Sequence, residues 1–304
     1  MRHIRHDDDG LHIENAAPPE PGPGELLVRT EAIGVTLPVV RKVAAGEPTE
    51  LGGEVAGEVV AVGAGVSGFA VGERVTGLCF KDGYAEFTVL TEAMASKIPE
   101  GASAVDAVAL VRAGLVARGA YEAAGHLAGE SVLVTAAASA TGHIALQLAR
   151  LGGASRVVAA VGSPDKAEFV RGFGADEVVT YGQENWGEPV DVVLDAVGGA
   201  LLSPAIAALA PNGRLVAFSS GGGTIQAYDL LVGAKTVIGF QMAMIAREQP
   251  ARYAAWREGL WDLRGAGKIR TAVAARFPLE DAAKAHELIV SRANLGKVVL
   301  VTGP

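Results

Sequence analysis

The chain has 304 residues, half of them hydrophobic and 20% charged, with 34 acidic against 26 basic side chains and a net charge of −8. That length holds two domains, that composition suits a buried α/β sheet and excludes a disordered chain, and the acidic balance argues against nucleic acid or an anionic membrane as partner. A single cysteine, Cys79, excludes an intrachain disulfide and a cysteine-rich zinc site, and the absence of any signal-peptide core or run of the roughly 18 apolar residues that a membrane span needs predicts a cytoplasmic protein.

Short β-type runs fill residues 1–110: Glu25 to Thr30, Glu54 to Val62, Arg74 to Leu78 and Tyr84 to Leu90. Glycine and proline punctuate them at close intervals, which predicts a compact β-barrel-like domain. Pro18-Pro-Glu-Pro-Gly-Pro-Gly24 leads straight into the first of these strands and reads as its surface approach. From about Val105 the spacing becomes helical and alanine-rich as far as His126.

A strand, tight turn and helix follow. Val132 to Val134 is an apolar β-type run, Ala136 to Gly142 are small, and Ile144, Leu148 and Leu151 recur at helical spacing. Such a turn aims the first N–H groups of a helix, and the positive end of its dipole, at whatever sits above the strand, and a pyrophosphate is the usual occupant. The dinucleotide fingerprint has three glycines; Ala137-x-Ser139-x-x-Gly142 keeps the last, which allows close packing of helix on strand.

Arg156 to Ser163 supplies the second parallel strand and Pro164 to Gly172 the next helix. An NAD site places Asp or Glu about 20 residues after the glycines to grip the ribose. Here Gly162-Ser163 stand there, with Lys166 one turn on; a hydroxyl and an ammonium attract a 2′-phosphate that a carboxylate would repel, so the residues favour NADPH, although Asp165 could instead serve a ribose. Further strands are expected at Glu177 to Tyr181, Val190 to Val197 and Arg214 to Ser219, with a helix from Leu201 to Ala210 and a turn at Pro211-Asn-Gly213. Near-continuous apolar strands separated by helices describe a parallel sheet covered on both faces. After Gly239-Phe240 come a helix carrying Tyr253, Trp256, Leu260 and Leu263, a second helix from Leu279 to Val290 and a strand from Lys297 to Val301, all expected to pack back on the first domain.

With these pieces placed, the sequence resembles the medium-chain dehydrogenase/reductase superfamily, in its zinc-free NADPH:quinone oxidoreductase branch. The markers, in order, are Gly24-Glu-Leu-Leu-Val28, Gly52-Gly-Glu-Val-Ala-Gly-Glu-Val-Val-Ala-Val-Gly63, Val71-Gly-Glu-Arg-Val75, Gly83-Tyr-Ala-Glu86, Val132 to Gly142, Gly174-Ala-Asp176, Asp195-Ala-Val-Gly-Gly199 and Gly296-Lys-Val-Val-Leu300. The resemblance implies an α/β fold: a Rossmann doubly wound parallel sheet over 111–244 plus a GroES-like β-barrel-type catalytic domain over 1–110, completed by 245–304. Where zinc members have a catalytic cysteine this chain has Val35-Thr36, and where they have a His-Glu pair it has Gly53-Glu54, so no metal site is expected. His3 and His6 lie in the terminal segment, and His126, His143 and His286 are scattered; each is expected to be a surface or capping residue.

Carried over by position, the resemblance assigns Ser139, Ala140, Thr141 and Gly142 to the pyrophosphate turn, with Ser139 and Ala140 replacing two family glycines. It gives Gly162, Ser163, Lys166 and Tyr181 to the adenosine 2′-phosphate, and Val197, Phe218, Ser219, Gly239, Phe240 and Lys297 to the nicotinamide side. In Thr36-Leu-Pro-Val-Val-Arg41 the branch has Asn, Asp and Tyr; this chain keeps a hydroxyl in Thr36 and a donor in Arg41, the two candidates for steadying charge on the substrate. The expected reaction is hydride transfer from NADPH to a quinone or similar conjugated carbonyl, by a homodimer paired through the cofactor domain. An enoyl or alkenal reductase is the near alternative, and a non-catalytic NADPH-binding protein the distant one.

Overall fold

The computed structural model describes residues 1–47, 49–218 and 221–303. The chain divides into two compact units, Met1–Arg112 with Ala272–Pro304, and Ala113–Thr271.

The first unit starts with a hairpin of β1 (Arg2–Asp7) and β2 (Gly10–Asn15), turned at Gly10 with φ +101°. It continues through β3 (Glu25–Gly34), the short helix α1 (Leu37–Ala44), β4 (Gly53–Val62), β5 (Arg74–Cys79), β6 (Phe87–Thr91) and β7 (Ala95–Lys97). Helix α2 (Ala104–Ala123) carries the chain into the second unit. Its start is capped by Ser103, whose hydroxyl accepts the Asp106 N–H at 3.0 Å while the Asp106 carboxylate accepts the Ser103 N–H at 2.9 Å.

The second unit holds β8 (Ser131–Thr135), α3 (Gly142–Leu151), β9 (Arg156–Val161), α4 (Ala167–Gly172), β10 (Glu177–Thr180), β11 (Val190–Asp195), α5 (Leu202–Ala207), β12 (Leu209–Ala217), α6 (Ala227–Leu231), β13 (Thr236–Gly239), α7 (Met242–Glu248) and α8 (Pro250–Gly265). Its sheet runs β10-β9-β8-β11-β12-β13 with every pairing parallel. Counting from β8, that is the doubly wound order 3-2-1-4-5-6. Apolar residues fill the strand centres, and Leu133, Val158, Val193 and Leu215 are completely buried in one shared core. The chain then returns to the first unit with β14 (Val273–Pro278), α9 (Ala282–Val290) and β15 (Lys297–Val301). The first unit's sheet runs β14-β15-β3-β4-β5-β7, with β6 on β3.

β3 is its hub. The first half of β3 pairs with β6 and the second half with β15 on one side, while β4 runs along the other. Two bulges, between Leu27 and Val28 and between Thr30 and Ala32, bend it. Such curvature is what a closed or nearly closed β-layer demands.

Two expectations need correction here. Residues 245–271 belong to the second unit and not to the first. The reason lies on α2: Gly114 leaves room for Leu260, Gly119 for the rings of Phe240 and Trp256, and Glu122 accepts the Trp256 indole N–H at 2.9 Å. Any Cβ at either glycine would intrude on those apolar side chains. Secondly, Pro211-Asn-Gly213 is no turn between helix and strand but part of β12, where a register shift opposite Val190 and Val192 and a φ of +62° at Asn212 absorb the irregularity.

Candidate active site

The carboxyl edge of the parallel sheet is organised at β8 and β11, the neighbouring strands from which the chain winds away in opposite directions. Open α/β sheets bind ligands at this switch point. Both strands end in a polar residue, Thr135 and Asp195, and both side chains are completely buried. The Thr135 hydroxyl donates to Asp195 Oδ1 at 2.8 Å and accepts the Ala196 N–H at 2.8 Å. Asp195 also accepts the N–H groups of Val197 at 3.1 Å and Gly198 at 2.9 Å. One carboxylate thus ties two strand ends together and shapes the loop that follows β11. Gly198 enters that loop at φ +71°, and a Cβ there would lie 2.8 Å from the Gly222 carbonyl oxygen.

The turn after β8 is where the resemblance puts the pyrophosphate. Ala136 takes up φ +48°, and its N–H is held by the Tyr181 hydroxyl at 2.7 Å. Ser139, Ala140 and Thr141 are half-buried, and the Ser139 hydroxyl accepts the Gly142 N–H at 3.0 Å, capping α3. Gly142 itself packs on the turn: a Cβ would overlap the Ala136 carbonyl and stand 2.6 Å from Ala137 Cα. Glycine is therefore required for α3 to approach β8 this closely, and the retained third glycine of the fingerprint does the work expected of it.

Beyond β9 the chain exposes Gly162, with Ser163 and Lys166 half-buried. The Asp165 carboxyl is held below its ordinary range, chiefly by the hydrogen bond from Ser163. The glycine and the ammonium at the end of the second strand suit an anion, while the one proton of the Ser163 hydroxyl is directed at Asp165. Tyr181 stands at the end of β10 with its ring edge 3.9 Å from where a Gly162 Cβ would be. Its hydroxyl serves the Ala136 turn, a positioning role added to the 2′-phosphate role that the resemblance implied.

On the other side of the switch point, Val197 is half-buried in the loop after β11, and the Phe218 N–H donates to the Asp195 carbonyl at 3.1 Å. Ser219 lies outside the described residues. Gly239 closes β13 opposite Ala217, and Phe240 donates its N–H to the Ala217 carbonyl at 2.9 Å. The Phe240 ring packs on α2 and lies 6.4 Å from Trp256, which accounts for an aromatic here without any cofactor.

Three of the sequence-assigned residues lie in the first unit. Thr36 is buried and opens α1, its carbonyl accepting the Val40 N–H at 3.1 Å. Pro38 sits in the first turn, where its missing N–H costs nothing, and Val40 anchors the buried face while Leu37 and Arg41 are exposed one turn apart. Lys297 is 4% exposed, and its ammonium donates to the carboxylate of Glu54, itself 2% exposed. Burial draws the Lys297 ammonium down to about 7.

The histidine expectation fails at two positions. His143 is fully buried in α3, its Nδ1 2.7 Å from the Ser139 carbonyl and its ring packed 4.8 Å from that of Phe173. His286 is buried on α9, with Nε2 3.0 Å from the Tyr84 hydroxyl. Desolvation pulls both imidazoles down to about 4. Cys79 is buried, its thiol pushed up to about 12 by the same cause. Among the described residues no three His, Cys, Asp or Glu side chains come together as metal ligands.

Two family models match the chain, an alcohol dehydrogenase GroES-like domain over 22–104 and a zinc-binding dehydrogenase domain over 173–300. A quinone oxidoreductase of Pseudomonas aeruginosa is 34% identical over 96% of this chain and 95% of its own length. The chain belongs to the medium-chain dehydrogenase/reductase superfamily, in its quinone oxidoreductase branch. An acryloyl-coenzyme A reductase of Metallosphaera sedula is 31% identical over 96% of this chain and 97% of its own length. A mycobacterial protein solved in complex with NADPH superposes with a TM-score of 0.91, at 30% identity over 99% of this chain and all of its own. The α/β fold with a GroES-like part is thus the superfamily's own.

Proposed function

We propose that this protein is an NADPH-dependent oxidoreductase that delivers hydride to a quinone or similar conjugated carbonyl. The observation that carries it is the switch point: a phosphate turn closed on Gly142 beside β11, with Gly162 and Ser163 after the second strand where an NAD site places its carboxylate. The same fold in a relative solved with NADPH supports it.

NADPH, when bound, supplies the hydride. Ser139 to Gly142 hold its pyrophosphate at the head of α3, and Ser163 and Lys166 hold the 2′-phosphate. Tyr181 and Asp195 keep the two loops in shape by engaging Ala136, Val197 and Gly198. The Thr36 hydroxyl and the Arg41 guanidinium are the donors available to a developing oxyanion. A quinone needs little more, because its reduced oxygen is resonance-stabilised and solvent can protonate it.

The reaction proceeds without zinc, because Glu54 is taken by Lys297 and Cys79 is a buried thiol far above neutrality. The protein works in the cytoplasm as a homodimer. Support for a dimer comes from β13, the sheet edge, and from Leu231 and Val232 just before it in the chain, which are 74% and 55% exposed. Light scattering on the purified chain checks the assembly.

Reduction of an enone C=C is the second reading, favoured by the acryloyl-coenzyme A reductase relative. Titration with NADPH and NADH, followed by turnover with a panel of quinones and enones, tests both. NADPH binding with quinone turnover supports the first reading and enone-only turnover the second. Tight NADPH binding without any turnover would leave a non-catalytic binding protein and refute both.

A further inference from the structure

Glu54 and Lys297 lie on strands that are not neighbours. Glu54 pairs with Gly34 across the β4–β3 ladder, and Gly34 pairs with Val299 across the β3–β15 ladder. To meet Lys297, the Glu54 side chain must pass over β3. It does so at Gly34, where a Cβ would overlap Glu54 Cγ and stand 2.6 Å from Oε1 and 2.7 Å from Cδ. The other carboxylate oxygen, Oε2, is buried without a protein partner.

A buried ion pair is a poor device for stability alone, because desolvating two charges offsets most of their attraction. A glycine inside a strand weakens it as well. Three residues are therefore committed to a contact that the sheet does not need for its strength. What lies beside them is the start of the catalytic segment. Val35 donates its N–H to the Val298 carbonyl at 3.1 Å, so continuation of the antiparallel register sets Thr36 opposite Lys297. A Cβ on Gly53 would touch Thr36 Cγ2 at 3.7 Å, which brings the methyl group of Thr36 next to Glu54's own strand. Gly296, at φ +89° against the Ala272 carbonyl, fixes the residue before Lys297 from the far side.

We infer that Glu54 and Lys297, joined across the Gly34 notch, are positioning residues that hold Thr36 and the first turn of α1 in the geometry used for hydride transfer. The inference rests on Thr36 serving the reacting side, as proposed above. Removing the pair leaves the fold standing and loosens the Val35 to Arg41 segment.

The test replaces both charges together, Glu54→Leu with Lys297→Met, so that no unpaired charge is buried. Melting temperature, amide exchange of residues 35–41, and kcat and KM with NADPH and an accepted quinone or enone are compared with wild type. A melting temperature near wild type, exchange at least tenfold faster at 35–41, kcat at least tenfold lower and KM for NADPH within twofold are expected. Exchange and kcat both within twofold of wild type would overturn the inference. Should the double variant fail to fold, Gly34→Ala, which fills the notch and leaves both charges in the sequence, is read the same way and with the same criteria. A wild-type protein that turns over no quinone or enone refutes the hydride-transfer reading, while the exchange measurement still decides whether the pair holds the segment.

Discussion

Replacing Asp195 with asparagine exchanges one carboxylate oxygen for an amide NH₂ at nearly constant volume. In the native arrangement Oδ1 accepts from the Thr135 hydroxyl and the Val197 N–H, and Oδ2 from the Gly198 N–H. The Thr135 hydroxyl already accepts the Ala196 N–H, so its own proton is directed to Asp195. If the asparagine oxygen stays toward Thr135, its NH₂ faces the Gly198 N–H, donor against donor. If the amide flips, the Thr135 hydroxyl and the Val197 N–H both lose their acceptor instead. Either way at least one hydrogen bond to a charged group, worth roughly 1.5–3 kcal/mol, disappears and a donor is left facing a donor. A net loss of about 2–4 kcal/mol is expected, which lowers the melting temperature by roughly 5–12 °C for a unit of this size. Because the damage is centred on the switch-point loops, NADPH affinity should fall with it. Differential scanning fluorimetry with and without NADPH, and a fluorescence titration of the cofactor, measure both effects. A melting temperature within about 1 °C of wild type together with an unchanged Kd would refute the view that this carboxylate builds the cofactor edge.

Lys166→Ala removes one charge-assisted contact to the 2′-phosphate and should weaken NADPH binding by about 1.5–3 kcal/mol while leaving NADH nearly unchanged; equal losses for both cofactors in parallel titrations would contradict the assignment. Arg41→Ala should lower kcat/KM on accepted quinones with the fold retained, since the side chain is exposed in the last turn of α1, and unchanged kinetics would remove Arg41 from the chemistry. Acid should destabilise the chain between about pH 6.5 and 4, because His143 and His286 are held neutral when folded but take up protons once unfolded. Each contributes at most about 3 kcal/mol that is fully present above pH 6.5, declines as the pH falls and is gone below the folded value. Melting curves from pH 7.5 to 4 check this, and a His286→Phe variant with an unaltered acid slope would exclude that residue as a cause.

The cofactor half was readable because its signals are local. A strand, a small-residue turn and an amphipathic helix in succession need only the residues 131–151, and the structure has them as β8, turn and α3. Tyr181 was assigned to the 2′-phosphate through the resemblance alone, and its tie to Ala136, 45 residues away, leaves no local trace. Helix α1 was missed because apolar Val39 and Val40 beside Pro38 look like an interrupted strand; Pro38 falls in the first helical turn, where proline is tolerated. The β1–β2 hairpin, with His3, His6 and His12 among acids, has Ile4 as the one apolar residue of β1 and alternation over only Leu11 to Glu14 in β2, too short to mark a strand. Glu54 was noticed only as a place where zinc had gone, since its partner stands 243 residues on and the notch between them is a glycine like many others. Buried polar partnerships of that range are written in tertiary packing, and no window of sequence contains them.

The placement of β15 has a consequence for biosynthesis. β15 is flanked by β14 and by β3, so one end of the first unit's sheet waits for residues that leave the ribosome only after the whole of the second unit. The second unit, continuous from 113 to 271, meets no such delay and can mature while synthesis goes on. A nascent chain that stops short of residue 297 would carry a finished second-unit sheet and an open seam along β3, with bare N–H and C=O groups where Val299 to Val301 belong. Closure of the first unit's sheet is thereby tied to a five-residue strand made long after the strands it joins.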